Sequence, residues 1–250
     1  AADWTSGDDA IFGGPATNGG AVTLASPTTV NSLTFGTFTG TYTLGTAGQA
    51  MTLNNGLVMN SGAGAVSLIS PVTLGAAQSW LNNSFGNLTV GTGAVDNAGF
   101  LLTIGGSGNA NVSSGIGGAG GLTKTGTGQL TLSGANSFSG PLSIENGRVF
   151  ANSINNKAAN GVLGSGTTVV LGSSGQTGRL AIQVDASVSS NKDFTLAAGG
   201  TGEIQFGNVG TFQNTNTDRS LTLSGSISGS GNFAKLGGAA VVLSGSNNYN

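Results

Sequence analysis

One pattern governs what this 250-residue chain can become: a triplet of apolar residue, threonine and apolar residue that recurs along its length. It occurs as Val22-Thr23-Leu24, Leu33-Thr34-Phe35, Tyr42-Thr43-Leu44, Met51-Thr52-Leu53, Val72-Thr73-Leu74 and Leu88-Thr89-Val90. It continues as Leu102-Thr103-Ile104, Leu130-Thr131-Leu132, Phe194-Thr195-Leu196 and Leu221-Thr222-Leu223, with serine at the centre of Val66-Ser67-Leu68 and Leu142-Ser143-Ile144. Successive side chains of a strand point to opposite sides, so each triplet sends two apolar groups inward and one hydroxyl outward. The residue types are strand formers. Between the triplets lie clusters such as Gly62-Ala63-Gly64, Asn82-Asn83-Ser84 and the run from Gly117 to Gly121, where glycine and asparagine tolerate the positive φ of tight turns. No segment spaces its apolar residues by three and four over a helical length. The chain is expected to be all-β.

Composition decides whether such a chain folds at all. It holds 47 Gly and only 6% charged residues, which alone would suit a disordered segment. Disorder, however, needs low hydrophobicity or high net charge, and here 37% of residues are hydrophobic with a net charge of −2. A folded chain is expected. Its basic residues, Lys124, Arg148, Lys157, Arg179, Lys192, Arg219 and Lys235, are scattered singly in sequence and form no run suited to nucleic acid. No apolar run approaches the roughly 18 residues of a membrane helix. The opening Ala1-Ala2-Asp3-Trp4 lacks the basic flank and apolar core of a signal peptide, and reads either as a cleaved start or as an internal boundary. The absence of Cys excludes disulfides and thiolate metal sites.

A longer echo overlies the triplets. Gly120-Gly121-Leu122-Thr123-Lys124-Thr125-Gly126 returns as Gly231-Asn232-Phe233-Ala234-Lys235-Leu236-Gly237. The run from Leu130 to Phe138 returns from Val241 to Tyr249, at the same offset and without gaps. Val112, Ile116 and Gly120 match Leu223, Ile227 and Gly231 at that offset too. The echo stops inside its second copy, which leads one to expect further sequence beyond Asn250. Four segments follow from this reading. Residues 1–117 are first solenoid rungs with a possible cap at 1–12, drawn from Trp4, Ile11 and Phe12; residues 118–149 are a first repeat, 150–228 divergent rungs or an insertion, and 229–250 a truncated second repeat.

Two all-β architectures compete. A sandwich or barrel needs hairpins with strands of about five or six residues and short specific turns. A parallel β-helix instead stacks short strands, one per side of each rung, with glycine and asparagine at the corners. Very short strands, abundant glycine and a single recurring triplet favour the β-helix as one elongated domain. Rungs of about 20 residues would give about a dozen turns along an axis of about 60 Å.

The run from Gly120-Gly121-Leu122-Thr123-Lys124-Thr125-Gly126 through Leu130-Thr131-Leu132-Ser133-Gly134-Ala135-Asn136 to Phe138 and Gly140 closely resembles the autotransporter-associated β-strand repeat of bacterial passenger domains. Leu142-Ser143-Ile144-Glu145-Asn146-Gly147-Arg148-Val149 continues that pattern, and the opening from Trp4 to Phe12 is similar to segments preceding such repeats. The resemblance covers roughly half the chain. It implies a right-handed parallel β-helix exported through an outer-membrane β-barrel to the surface of a Gram-negative bacterium, with the repeat assisting secretion rather than forming an active site.

Without His or Cys, serine triads, thiol dyads and zinc sites are excluded, and carboxylates are the remaining candidates. They are Asp3, Asp8, Asp9, Asp96, Glu145, Asp185, Asp193, Glu203 and Asp218. A glycosidase needs two carboxyl groups about 5–10 Å apart, and Asp185 with Glu203, on adjacent rungs, is the one pair considered. Solvated surface acids are the favoured alternative. Asp8-Asp9 suits a hard cation such as Ca²⁺, although a turn or cap role fits it better. Gly105-Gly106-Ser107-Gly108 lacks the ending of a phosphate loop and reads as a corner. Lys124 and Lys235 recur at one repeat position and are expected to be solvated beside a glycine turn. Phe138 and Tyr249 are expected in core or corner packing, and Asn54-Asn55, Asn82-Asn83, Asn155-Asn156 and Asn247-Asn248 in stacked amide ladders.

No catalytic, cofactor or metal residue is therefore assigned. The expected role is a non-enzymatic stalk, fibre or adhesin segment giving length and display. A carbohydrate-binding or carbohydrate-cleaving β-helix and a filament subunit pairing through its end rungs are the alternatives. Surface glycans or a second copy of the chain are the partners considered.

Overall fold

In the computed structural model, which describes residues 7–14, 17–207 and 218–249, the triplets stack into a three-sided parallel β-solenoid. Among the described residues there is no helix. One side is a sheet of ten strands from Ala10–Phe12 to Ile227–Gly229, and the second is a sheet of ten from Ala21–Val22 to Asn232–Leu236. The third side is interrupted. It holds five strands from Thr28–Val30 to Ile116–Gly117, and resumes as the three strands Val188–Ser190, Ser220–Leu223 and Ala240–Leu243. Strand pairs on all three sides are parallel, as in the registers Leu88↔Ala110 and Val95↔Ile116. Ten rungs at about 4.8 Å give a stack about 45 Å tall. The stack is shorter than the dozen turns expected, because most rungs consume more chain than expected. One turn carries the chain from Ala10 to Leu33, a tighter one from Leu102 to Leu122, and a much longer one from Phe194 to Ile227.

The alternation works as its chemistry dictates. Leu33-Thr34-Phe35, Met51-Thr52-Leu53 and Leu88-Thr89-Val90 all bury their outer pair and leave threonine partly exposed. Inward residues then form continuous columns, such as Leu44, Leu68, Val90, Val112, Leu132, Ala151, Ile182 and Phe206 on the second side. Each such residue is covered by the rungs above and below, so burial comes from near neighbours rather than from one globular centre. Most polar groups caught inside find partners, although Asn97 Nδ2, Gln205 Oε1 and Arg219 Nε have none among the described residues. Trp80 Nε1 donates to Gln78 Oε1 at 3.0 Å, and Gln78 Nε2 donates to the Leu53 carbonyl at 2.6 Å.

At the first rungs Phe12 stacks on Phe35, with ring centroids 5.0 Å apart, and meets Tyr42 at 5.5 Å. Ile11, grouped with Phe12 in the expected cap, points outward and is 76% exposed, because it is the central residue of its strand. Trp4 lies outside the described residues. The stretch from 150 onward continues the stack with strands such as Thr177–Ile182 and Thr201–Phe206. The interruption of the third side falls where residues 152–165 loop out against the rung below. There Asn136 and Gly161 exchange backbone hydrogen bonds at 3.0 Å, and Phe138 is fully buried beneath Gly164.

The long-range echo acquires a geometric meaning. Leu122–Lys124 lies on the first side, whereas its counterpart within Asn232–Leu236 lies on the second. Gln129–Leu132 moves likewise from the second side to the third, as Ala240–Leu243, and Ile116–Gly117 from the third to the first. The echo is displaced by one side, so the repeated unit is a strand-and-corner module that fits any of the three sides.

Candidate functional site

The carboxylates do not converge. Asp3 lies outside the described residues, and among those residues no three of His, Cys, Asp and Glu stand close enough to hold a metal ion. Asp185 and Glu203 are not brought together. Their spacing in sequence suggests one rung, but the rung here is longer than that spacing, so Glu203 is in register with Arg179 instead. Arg179 Nε donates to Glu203 Oε2 at 2.6 Å, while Asp185 receives Arg219 Nη1 at 3.0 Å. Asp193 receives Lys157 Nζ at 3.3 Å, and Asp96 accepts the Ala98 N–H at 2.9 Å. Asp9 Oδ1 accepts Ser32 Oγ at 2.6 Å and Asn31 Nδ2 at 2.7 Å. Those bonds, Ser32 foremost, hold its carboxyl below the usual range.

The asparagines divide between two uses. Asn55 Nδ2 donates to Asn31 Oδ1 at 2.6 Å and Asn31 to Asp9, so a side-chain ladder climbs one corner over three rungs. Elsewhere the expected ladders are replaced by bonds to the backbone. Asn82 Nδ2 reaches the carbonyls of Gly86 and Asn109, and Asn155 Oδ1 accepts the Leu163 N–H. Asn136 and Asn247, equivalent in the echo, accept the N–H groups of Ile116 and Ile227 at 2.8 and 2.9 Å. The repeat's asparagine therefore caps the strand one rung below.

Lys124 corrects the expectation of a solvated lysine. It occupies an inward position in the column between Ile104 and Ile144 and is 2% exposed. Its ammonium donates to the Thr125 carbonyl, to Gly126 O at 2.8 Å and to Asn146 O, one rung on, at 3.3 Å. Glycine makes this corner possible. Gly126 has φ +68°, and a Cβ there would stand 2.4 Å from Gly106 O. Burial pushes the Lys124 ammonium down to about 8. Lys192 is similarly buried, bonded to the carbonyls of Gly164 and Gly166, and its ammonium too is pushed down to about 8 by burial. Lys235, the repeat partner of Lys124, is exposed and donates to Gly237 O, so it alone of the pair fits the expectation. Phe138 is core, as its spacing predicts, and Tyr249 packs on Phe233 at 5.8 Å.

A polar column on the surface left no trace in sequence spacing. Along the outer edge of the second side, Gln129, Arg148, Arg179 and Glu203 fall into cross-rung register. Arg148 Nη2 donates to Gln129 Oε1, and Gln129 N donates to Asn109 Oδ1 at 3.0 Å. These side chains line an open groove of about 470 Å³ with Asn146, Thr127 and Thr177. Among the described residues no carboxylate pairs with Arg148.

Fold and corner chemistry together define a repeat-built parallel β-solenoid, and residues 122–149 match the family model of the passenger-associated-transport repeat. Those residues thus form a passenger-associated-transport repeat on the first and second sides. Over 133 residues, 52% of its length, the chain is 32% identical to the adhesin BmaC autotransporter of Brucella suis biovar 1 (strain 1330). It spans 4% of that protein's length. No solved structure matches the chain significantly.

Proposed function

We infer that the chain is a surface-exposed passenger segment that provides reach and display for adhesion and performs no catalysis itself. The observation that carries this reading is the uninterrupted parallel stack of the first two sides, ten strands each, bearing a passenger repeat at its middle. Stacked rungs extend an axis by a fixed step per repeat, which suits a spacer. Outward threonines and serines, with 6% charged residues overall, give a hydroxyl-rich wall without strong fields that would bind polyions along its whole length. The likeness to an adhesin autotransporter supports export to the surface of a Gram-negative cell.

Labelling of intact cells of the source organism with antibodies to residues 1–250 tests this. Staining without permeabilisation, together with loss of adhesion when the segment is deleted, is expected. Staining that needs permeabilisation contradicts it.

A further inference from the structure

We propose that the groove on the second side binds an acidic polysaccharide through the carboxylate of a uronic or similar acidic sugar. Arg148 and Arg179 are two of only seven basic residues in the chain and lie far apart in sequence, yet they stand on adjacent rungs in register. Like charges so placed repel, and the single carboxylate of the column, Glu203, bonds Arg179. Among the described residues, Arg148 has only the neutral Gln129 as its side-chain partner. A guanidinium with free N–H groups in an open groove matches a carboxylate by its two-pronged geometry.

The other lining groups are amides and hydroxyls: Asn109, Thr127, Asn146 and Thr177. They offer donors and acceptors to sugar hydroxyls, and no aromatic ring lines the groove. The column climbs from Gln129 to Glu203 in three rung steps of about 4.8 Å. That step is close to the spacing of successive pyranoses in an extended chain, so neighbouring sugars meet neighbouring rungs. Glu203 disfavours a ligand charged at every unit, which sets a polysaccharide with spaced carboxylates apart from nucleic acid or polyphosphate.

Such a polymer is met outside the cell, so the site rests on the surface reading given above. Binding by the purified chain and labelling of intact cells fail independently of one another. Calorimetric titration with hyaluronan oligosaccharides, whose carboxylate falls on alternate sugars as in a host matrix, and with gellan oligosaccharides, a bacterial polymer whose uronates are likewise separated by neutral sugars, separates the two sources. Neutral dextran and polyphosphate serve as comparisons.

Binding of either uronate is expected, weaker by about tenfold or more in Arg148→Gln and only partly rescued in Arg148→Lys, with unchanged circular dichroism in both variants. Glu203→Gln is expected to relax discrimination against polyphosphate. Absence of uronate binding, equal binding of dextran, or affinity indifferent to Arg148→Gln overturns the site.

Discussion

Replacing Lys124 by methionine separates the worth of its carbonyl cage from the cost of burying a charge. The ammonium makes three bonds, to Thr125 O, Gly126 O and Asn146 O, the last long at 3.3 Å. Hydrogen bonds to a charged group contribute about 1.5–3 kcal/mol each, so two full bonds and one weak one contribute about 4–7 kcal/mol. Against this stands desolvation. An ammonium pushed from 10.5 to about 8 is disfavoured by about 3 kcal/mol at 1.36 kcal/mol per pH unit, and methionine removes that cost. Methionine also leaves the three part-buried carbonyls without this donor, at about 1–3 kcal/mol each, which exceeds the desolvation it removes. Lys124→Met is therefore expected to lower stability by about 1–4 kcal/mol. The internal control is Lys235→Met, which alters the same repeat position where it is exposed, and should change stability by less than about 0.5 kcal/mol. Urea unfolding of both variants, followed by far-ultraviolet circular dichroism, gives the comparison. A Lys124→Met chain as stable as the parent, or equal losses in both variants, would refute the cage.

Three further outcomes follow from the corners. Gly120→Ala places a Cβ 1.8 Å from the Phe100 carbonyl oxygen, a backbone clash that should cost about 3 kcal/mol; Gly20→Ala, with nothing within 4 Å, should leave the urea midpoint unchanged. The folded pKa of Lys124 and Lys192, about 8, lies below the unfolded 10.5. The unfolded chain therefore holds more protons between those values, and unfolding free energy should rise with pH there by at most about 1.4 kcal/mol per unit for each lysine. Lys124→Met should flatten that rise, and a fall with pH counts against buried ammonium groups. Burial raises the Asp193 carboxyl, but the Ser226 N–H, the Ser226 hydroxyl and Lys157 together hold it below 3.8. Its contribution is thus present above 3.8 and lost as pH falls, so Asp193→Asn should unfold over a less acid-sensitive range in pH-titrated thermal melts.

The strands were legible because alternation is local: Leu102-Thr103-Ile104 buries its ends whatever its neighbours do. Lys124 also left a signal. It has the same parity as Leu122 in its strand, which places it inward, and its charge hid that. Register between rungs was not legible, because it depends on loop lengths that alternation does not report. The loop at 152–165 lengthens the step that carries the chain from Val149 to Leu180. That length sets Arg148 beside Arg179, and rung length likewise places Glu203, rather than Asp185, against Arg179. Rung length also shifts the long-range echo to the next side of the solenoid. The alternative of facing antiparallel sheets failed for the same reason that short triplets suggested: three-residue strands gain their pairing from the rungs on either side, not from hairpin turns.

Parallel stacking along one axis is the claim on which the rest depends, and pulsed dipolar spectroscopy on spin-label pairs tests it. Thr43, Ser67, Thr89, Asn111 and Thr131 are successive cross-rung partners on the second side, and the column continues to Leu236. Labels at 43 and 131 should lie about 19 Å apart, and labels at 43 and 236 about 38 Å, before allowance for the label arms. Separation growing with each rung is the predicted result. A distance from 43 to 236 no longer than that from 43 to 131 would contradict the solenoid.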